Sequence, residues 1–347
     1  MKITMPQIVG NERLRRRLGD DVLSGTLSHA YLLEGPVGSG KHTIARLLAA
    51  SLACERKHDE NTPLPCGECL SCRKILDGKS PDIMIIGRED KATIGVETVR
   101  RIREDAHTFP NDLDFKLYII EDAHTMTAQA QNALLLTLEE PPSFVRFLLL
   151  CENTQTILET IKSRAPVLRT EAVDPDRIAE YLCHEVPGAL SQRDSAPGEW
   201  REILLSCDGC IGRAMQLLDP KVRKPILNRR RLAQEFLDAC LTNRERATRM
   251  IALFGAVGAK REDVNEFLLT LQTAIRDLTM LKRSDNAPLL FYTDREEAMA
   301  LSDRIPAATL IRMYENCEDA RCAVTIRNAN IRLTLMELSL RSGMIRT

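Results

Sequence analysis

Nine residues, Gly35-Pro36-Val37-Gly38-Ser39-Gly40-Lys41-His42-Thr43, carry the most specific chemistry in the chain. They follow a short apolar run, Ala30-Tyr31-Leu32-Leu33, and precede a helical one, Ile44-Ala45-Arg46-Leu47-Leu48-Ala49-Ala50. Strand, glycine-rich turn and helix in that order make a phosphate-binding loop. Gly35, Gly38 and Gly40 let backbone N–H groups converge on phosphate oxygens. Lys41 adds a point charge, and the helix N-terminus adds a favourable dipole. One position departs from the usual pattern. Where a Ser or Thr hydroxyl normally follows the lysine and ligates Mg²⁺, this chain has His42. Mg²⁺ is a hard ion that takes oxygens in tight octahedral geometry, which an imidazole nitrogen serves poorly. Thr43 is one residue further on, turned by about 100° around the helix, and is badly placed to substitute.

Three other constellations stand out. Glu121-Asp122 ends the apolar run Leu117-Tyr118-Ile119-Ile120. Parallel sheets bind ligands at the C-terminal ends of their strands, so this pair belongs at the same edge as the loop. Nucleotide hydrolases of this layout place Asp first, to hold the metal, and Glu second, to orient water; the order is reversed here. Asp122 is one methylene short as a base, and a misplacement of about 1 Å costs on the order of a hundredfold in rate. Both departures weaken hydrolysis and leave phosphate binding open. The plainer alternative is an acidic pair that marks a strand end.

Cys54-x11-Cys66-x2-Cys69-x2-Cys72 lies in a polar insert with Pro63 and Pro65. Four thiolates satisfy a tetrahedral Zn²⁺ closed to water, which makes such a site structural. An iron–sulfur cluster or free thiols remain alternatives. Cys207, Cys210, Cys317 and Cys322 read as core cysteines. Arg164, beside Ser163, follows the run Phe147-Leu148-Leu149-Leu150. An arginine at the rim of such a domain either reaches a neighbour's nucleotide or is an ordinary surface residue. The first role is worth about 10³–10⁵ in rate.

The elements that must position these residues alternate. Strands at Ala30–Leu33, Ile83–Ile86, Leu117–Ile120 and Phe147–Leu150, with a short one at Val167-Leu168, are separated by helical patterns. Near-continuous apolar strands between helices predict a parallel sheet buried on both faces. After Asp174-Pro175 the strand signal stops, and three short helices are expected around Gly188, Pro197-Gly198 and Gly209. Beyond Pro220 the pattern is helical throughout. One stripe carries Val264, Phe267, Leu268, Leu271, Ile275, Leu278 and Leu281, and the last carries Ala329, Leu333, Met336 and Leu340. Such stripes are expected to be buried in a bundle or against neighbouring subunits. The expected division is residues 1–172, 173–220 and 221–347.

Composition sets the outer bounds. The 347 residues are 44% hydrophobic and 28% charged, with a net charge of −1. A chain of this length exceeds one compact core. No apolar stretch approaches the roughly 20 residues that span a bilayer. The first residues, Met1-Lys2-Ile3-Thr4-Met5-Pro6, have no signal-peptide core, so a cytoplasmic protein without membrane contact is expected. A stand-alone nucleic-acid binder is usually more basic. The runs Arg15-Arg16-Arg17 and Arg229-Arg230-Arg231 read first as solvated helix faces.

The segment Gln131-Asn132-Ala133-Leu134-Leu135-Leu136-Thr137-Leu138-Glu139-Glu140-Pro141-Pro142 resembles the signature of bacterial clamp-loader subunits with the AAA+ fold. Leu27-Ser28-His29-Ala30-Tyr31-Leu32, Ser80-Pro81-Asp82, Ser163-Arg164-Ala165 and Gly209-Cys210-Ile211-Gly212-Arg213-Ala214 are similar to further motifs of that family. The resemblance is strong over residues 1–220, and Asn328-Ala329-Asn330-Ile331-Arg332-Leu333 suits the family's collar. It implies an α/β AAA+ P-loop domain with a parallel sheet, a small helical lid and an all-α collar. It implies structural Zn²⁺ on the four cysteines. His42, Glu121-Asp122 and the lack of a long tail after residue 347 favour the delta-prime type over the gamma/tau motor. On that resemblance Arg164 is a finger acting in trans, Arg213 the lid sensor and Asn153 the first-sensor position. The implied partners are gamma/tau and delta subunits, the sliding clamp and primer-template DNA, within the DNA polymerase III holoenzyme. ATP with Mg²⁺ is the implied ligand, and weak or absent hydrolysis is expected. The rival readings are a working gamma-type ATPase, a zinc-bearing DNA-binding regulator and a small-molecule P-loop kinase.

Overall fold

The computed structural model describes residues 2–88, 92–241, 246–287, 289–292 and 294–342. Contacts divide the chain into two compact units, Met1–Leu182 with Gly209–Arg213, and Cys183–Asp208 with Ala214–Thr347.

The first unit alternates as its sequence pattern requires. In chain order it holds α1 (Glu12–Ser24), β1 (Ala30–Glu34), α2 (Lys41–Ala53), α3 (Leu70–Leu76), β2 (Ile83–Ile86), α4 (Val96–Ala106), β3 (Lys116–Ile120), α5 (Ala128–Glu139), β4 (Val145–Cys151), α6 (Glu159–Lys162) and β5 (Val167–Arg169). The strands form one sheet in the order β2-β3-β4-β1-β5, all parallel. Successive strand residues point to opposite faces, so each apolar strand feeds two cores. Tyr31, Leu33, Leu117, Ile119, Leu148 and Leu150 face one core, with α1, α2 and α3. Leu32, Tyr118, Ile120, Phe147 and Leu149 face the other, with α4, α5 and α6. This two-faced parallel sheet, with a glycine-rich loop after β1, is an α/β fold of the P-loop type. Helix α3 lies inside the cysteine insert, where prolines and polar residues gave no helical signal.

Loops at the sheet edge are held by single buried acids. Asp82, fully buried, accepts from the backbone N–H groups of Asn111, Asp112 and Leu113 at 2.7, 2.7 and 2.9 Å. Burial pushes its carboxyl upward, but those three N–H groups outweigh it and hold the group below its ordinary value. The Ser80-Pro81-Asp82 motif is thus an anchor for the loop before β3.

The rest of the chain is helical among the described residues: α7 (Pro175–Glu185), most of which belongs to the first unit, then α8 (Ala189–Ser195), α9 (Pro197–Ser206), α10 (Ile211–Leu217), whose first turn belongs to the first unit, α11 (Pro220–Leu241), α12 (Arg246–Val257), α13 (Arg261–Leu281), α14 (Arg295–Arg304), α15 (Ala307–Thr325) and α16 (Ile331–Ser342). Four short helices, α7 to α10, thus stand where three were expected. The α13 stripe is buried as expected, with Val264, Phe267, Leu268, Leu271, Ile275 and Leu278 fully enclosed. The last stripe is not buried within this chain. Ala329 precedes α16, and Leu333, Met336 and Leu340 are 67%, 44% and 73% exposed. Leu335 and Leu338 face the core. This helix thus carries leucines on both sides, one set packed within the chain and one left exposed. The arginine run at 229–231 is not a free charged face: Arg230 stacks on the Phe291 ring at 4.6 Å and also donates to its carbonyl. Among the described residues no helix is long and apolar enough to cross a membrane.

Replacing Asp82 by Asn puts an amide where three donors converge. The expected cost is roughly 2–3 kcal/mol, the loss of charged hydrogen bonds. Because the folded carboxyl is held low, its contribution is present above the unfolded value and disappears as pH falls through the folded one. Denaturant unfolding of wild type and Asp82→Asn should therefore differ at pH 7, and the gap should begin to narrow only below about pH 4 and close below the lowered folded value. A gap that persists in acid would contradict this role.

Candidate functional site

The loop leaves β1 at its C-terminal end, between β4 and β5. Glu34, the last residue of β1, joins all three strands. Its carboxylate accepts from the Thr154 N–H at 3.1 Å and from Arg169 Nε at 2.7 Å. Burial pushes this carboxyl up, but Arg169 and Thr154 prevail and hold it low. Sequence reading passed over Glu34; its register partner Arg169 was the available signal.

Two loop glycines are required by contact. A Cβ on Gly35 would lie 1.9 Å from Thr170 Oγ1. Gly38 has φ +80°, and a Cβ there would lie 2.6 Å from the Arg213 nitrogen. The Gly212 N–H donates to the Gly38 carbonyl at 2.9 Å, so the 209–213 segment seats directly on the loop. Gly40 caps α2 in a left-handed conformation, and Lys41 opens that helix. Lys41 is 7% exposed, and its Nζ donates to the Gly35 and Pro36 carbonyls at 2.6 and 2.8 Å. Burial lowers its affinity for the proton, against the opposing field of nearby acids that include Glu152 and Asp122. The Ser39 hydroxyl is buried without a hydrogen-bond partner, a donor that a phosphate oxygen would satisfy.

The residues expected to handle a metal are arranged differently. His42 Nδ1 lies 2.8 Å from Glu121 Oε1. Asp122, with φ +49°, pairs with Arg88 at 2.9 Å. Thr43 is exposed. The loop thus suits phosphate, and the side chains at the usual Mg²⁺ positions, His42 and Glu121, contact each other. Asp122, His124 and Glu152 bring one ligand atom each within 4.8 Å of one another, a group the sequence reading did not assemble. Asn153 is exposed just past β4, and its side-chain oxygen accepts from the Gln155 N–H at 3.2 Å. Arg164 sits after α6. Its guanidinium donates to the Thr160 carbonyl at 3.0 Å and to Glu139 Oε1 at 2.8 Å. Glu139 belongs to the segment that carried the resemblance.

The four cysteines do converge. The sulfurs of Cys54, Cys66, Cys69 and Cys72 all lie within 4.8 Å of one another, with Cys66 and Cys72 at 3.9 Å. A tetrahedral ion with bonds of about 2.3 Å sets its sulfurs about 3.8 Å apart. Backbone N–H groups of Cys69 and Cys72 point at the sulfurs of Cys66 and Cys69, both at 3.4 Å. Burial works against ionisation of Cys66, yet the surrounding N–H and S–H donors bring its thiol down to about 7. The geometry fits a Zn²⁺ held by all four. Cys207, Cys210 and Cys317 are buried as expected, whereas Cys322 is only partly buried and is not a core cysteine.

The parallel sheet and the glycine-rich loop after β1 define an α/β domain of the P-loop class. Residues 10–174 match the family described as DNA polymerase III, delta subunit. The chain is similar to DNA polymerase III subunit tau/gamma of Haemophilus influenzae, 34% identical over 217 residues, covering 60% of this chain and 31% of that protein. Subunit tau of Escherichia coli is also 34% identical over 217 residues, with 60% and 33% covered. The chain thus spans about a third of the length of these curated relatives. A solved gamma-subunit-related protein of Thermotoga maritima covers 94% of this chain and 98% of its own at 18% identity, with a TM-score of 0.45.

The loop geometry gives a paired prediction. Gly38→Ala and Gly40→Ala each carry the left-handed penalty of about 1–2 kcal/mol. Only Gly38→Ala also meets the Arg213 backbone, because nothing lies within 4 Å of a Cβ on Gly40. Gly38→Ala should therefore lower the unfolding midpoint further and open the 209–213 segment to protease. Equal losses would mean that this segment does not rest on the loop.

Proposed function

We propose that this chain is a clamp-loader subunit of the delta-prime type, a stator that helps place a sliding clamp on primed DNA. One observation carries the reading: both acids after β3 are already met by side chains of the same unit, Glu121 by His42 Nδ1 and Asp122 by Arg88. On this reading neither is left as in a hydrolysing site, to hold a metal beside the loop or to activate water. The similarity to gamma, tau and delta subunits supports the clamp-loader assignment. On this reading residues 1–172 are the AAA+ domain, 173–220 the lid and 221–347 the collar. Gly35, Gly38, Gly40, Lys41 and Arg213 surround a phosphate-binding loop, with Asn153 near its edge. Arg164 reaches a neighbouring ATPase subunit's nucleotide. The partners are gamma/tau and delta subunits, the clamp and primer-template DNA, in the cytoplasm. The exposed Leu333, Met336 and Leu340 suit burial against another subunit. The four cysteines hold a structural Zn²⁺ that pins α3 to the end of α2.

The working gamma-type ATPase is the rival. The purified chain given ATP, Mg²⁺, clamp and primed DNA should show negligible turnover. Robust turnover that Lys41→Ala abolishes would sink the stator reading. In the reconstituted assembly Arg164→Ala should leave assembly intact and lower ATP turnover at least tenfold, at the low end of what a trans arginine supplies. An unchanged rate removes that role. Metal analysis should give about one zinc per chain, lost in Cys69→Ser; a content well under one equivalent removes the zinc.

A further inference from the structure

His42 and Glu121 are the two positions at which the chain departs from the pattern that holds a divalent cation. In P-loop nucleotide hydrolases the cation is held by the hydroxyl after the lysine and by the acid at the end of a neighbouring strand. A hydroxyl and an aspartate are short, and an ion fills the gap between them. Here both side chains are longer, and they meet directly at 2.8 Å. For this contact to be a hydrogen bond, Nδ1, the nitrogen that faces Glu121, must carry the hydrogen; only Nε2 keeps a lone pair, and an imidazole nitrogen is a poor ligand for Mg²⁺. The Glu121 charge is directed at that N–H. The adjacent carboxylate of Asp122 is engaged by Arg88 at 2.9 Å. Lys41, a further cation, is buried beside the same loop. The attraction that draws Mg²⁺ into such sites has been spent inside the protein.

We infer that the His42–Glu121 bridge takes the place of the divalent cation, so that this loop holds the phosphates of a nucleotide without metal. The inference rests on the reading of the chain as a non-hydrolysing subunit and deepens it by naming the ligand form. The phosphates are met by loop N–H groups, the Ser39 hydroxyl and Lys41. Without a cation to bridge the terminal phosphates, the loop gains nothing from Mg²⁺. The two departures compensate each other, so reversing both is needed to rebuild a cation site.

The test is a titration of the full chain with a fluorescent ADP analogue, in excess Mg²⁺ and in EDTA. The wild-type affinities should agree within about twofold. The double variant His42→Ser/Glu121→Asp should bind at least tenfold tighter in Mg²⁺ than in EDTA, a difference of about 1.4 kcal/mol. Wild-type binding that tightens tenfold with Mg²⁺ overturns the inference, whether the ion enters at the bridge or at Asp122, His124 and Glu152. So does wild type that binds no nucleotide in either medium, or a folded double variant that gains nothing. The wild-type comparison stands even where the double variant does not fold. A chain that turns over no ATP yet needs Mg²⁺ to bind nucleotide loses the bridge and keeps the stator reading. A chain indifferent to Mg²⁺, in an assembly that ignores Arg164→Ala, keeps the bridge and loses the finger.

Discussion

Everything at the candidate site depends on β1 being laddered on both sides. β4 and β5 flank it in parallel, with Leu33 opposite both Leu150 and Leu168. A parallel strand so placed has no free edge and sends its exit loop to the same side as the exits of its neighbours. The phosphate loop, Glu152, Asn153 and Thr170 therefore share one rim without any local signal telling them to. Glu34 locks that rim by taking donors from Thr154 and Arg169. The position of the loop is a property of the sheet, and the sheet is a property of apolar strands buried on two faces.

The charges at this rim act through position rather than through stability. Exposed ion pairs contribute about 0–1 kcal/mol, and His42, Glu121, Asp122 and Arg88 are all partly exposed. Their importance lies in which atoms they occupy. A carboxylate directed at an imidazole N–H or a guanidinium has its negative charge answered within the protein. The same loop geometry that serves hydrolysis elsewhere is thereby left with its backbone donors and one lysine. The loop has a structural role as well. Gly212 and Arg213 rest on Gly38, so the loop is also a seat for the first turn of α10.

The sequence made the sheet legible because burial on both faces leaves strands apolar from end to end. The phosphate loop was legible because glycines are demanded at fixed offsets. Cys54 was tied to Cys66, Cys69 and Cys72 by residue type alone, and the fold brought the four together. Other features had no local signature. Helix α3 is held by contacts made through its cysteines and by α2, not by a periodic apolar stripe. Periodicity does not separate the two faces of α16, because leucines lie on both of its sides. The His42–Glu121 contact joins residues far apart in sequence, each of which reads alone as a defect. Only their proximity turns two defects into one arrangement.

Arg164 illustrates how such an arrangement remains available for work. In the isolated chain its guanidinium is held by Glu139 and the Thr160 carbonyl. The pair is partly exposed, at 35% and 47%, so water screens it and little free energy holds it. A phosphate offers the same planar fork two oxygens and more charge than Glu139 does. On the proposed reading, a neighbour's nucleotide competes with Glu139 for one guanidinium, and the exchange costs little on this side. Glu139 then acts as a rest position. It keeps the arginine extended at the rim in a defined rotamer, which lowers the entropy lost when a partner's phosphate arrives. That is consistent with the place of Glu139 at the end of α5, the helix whose sequence carried the family resemblance.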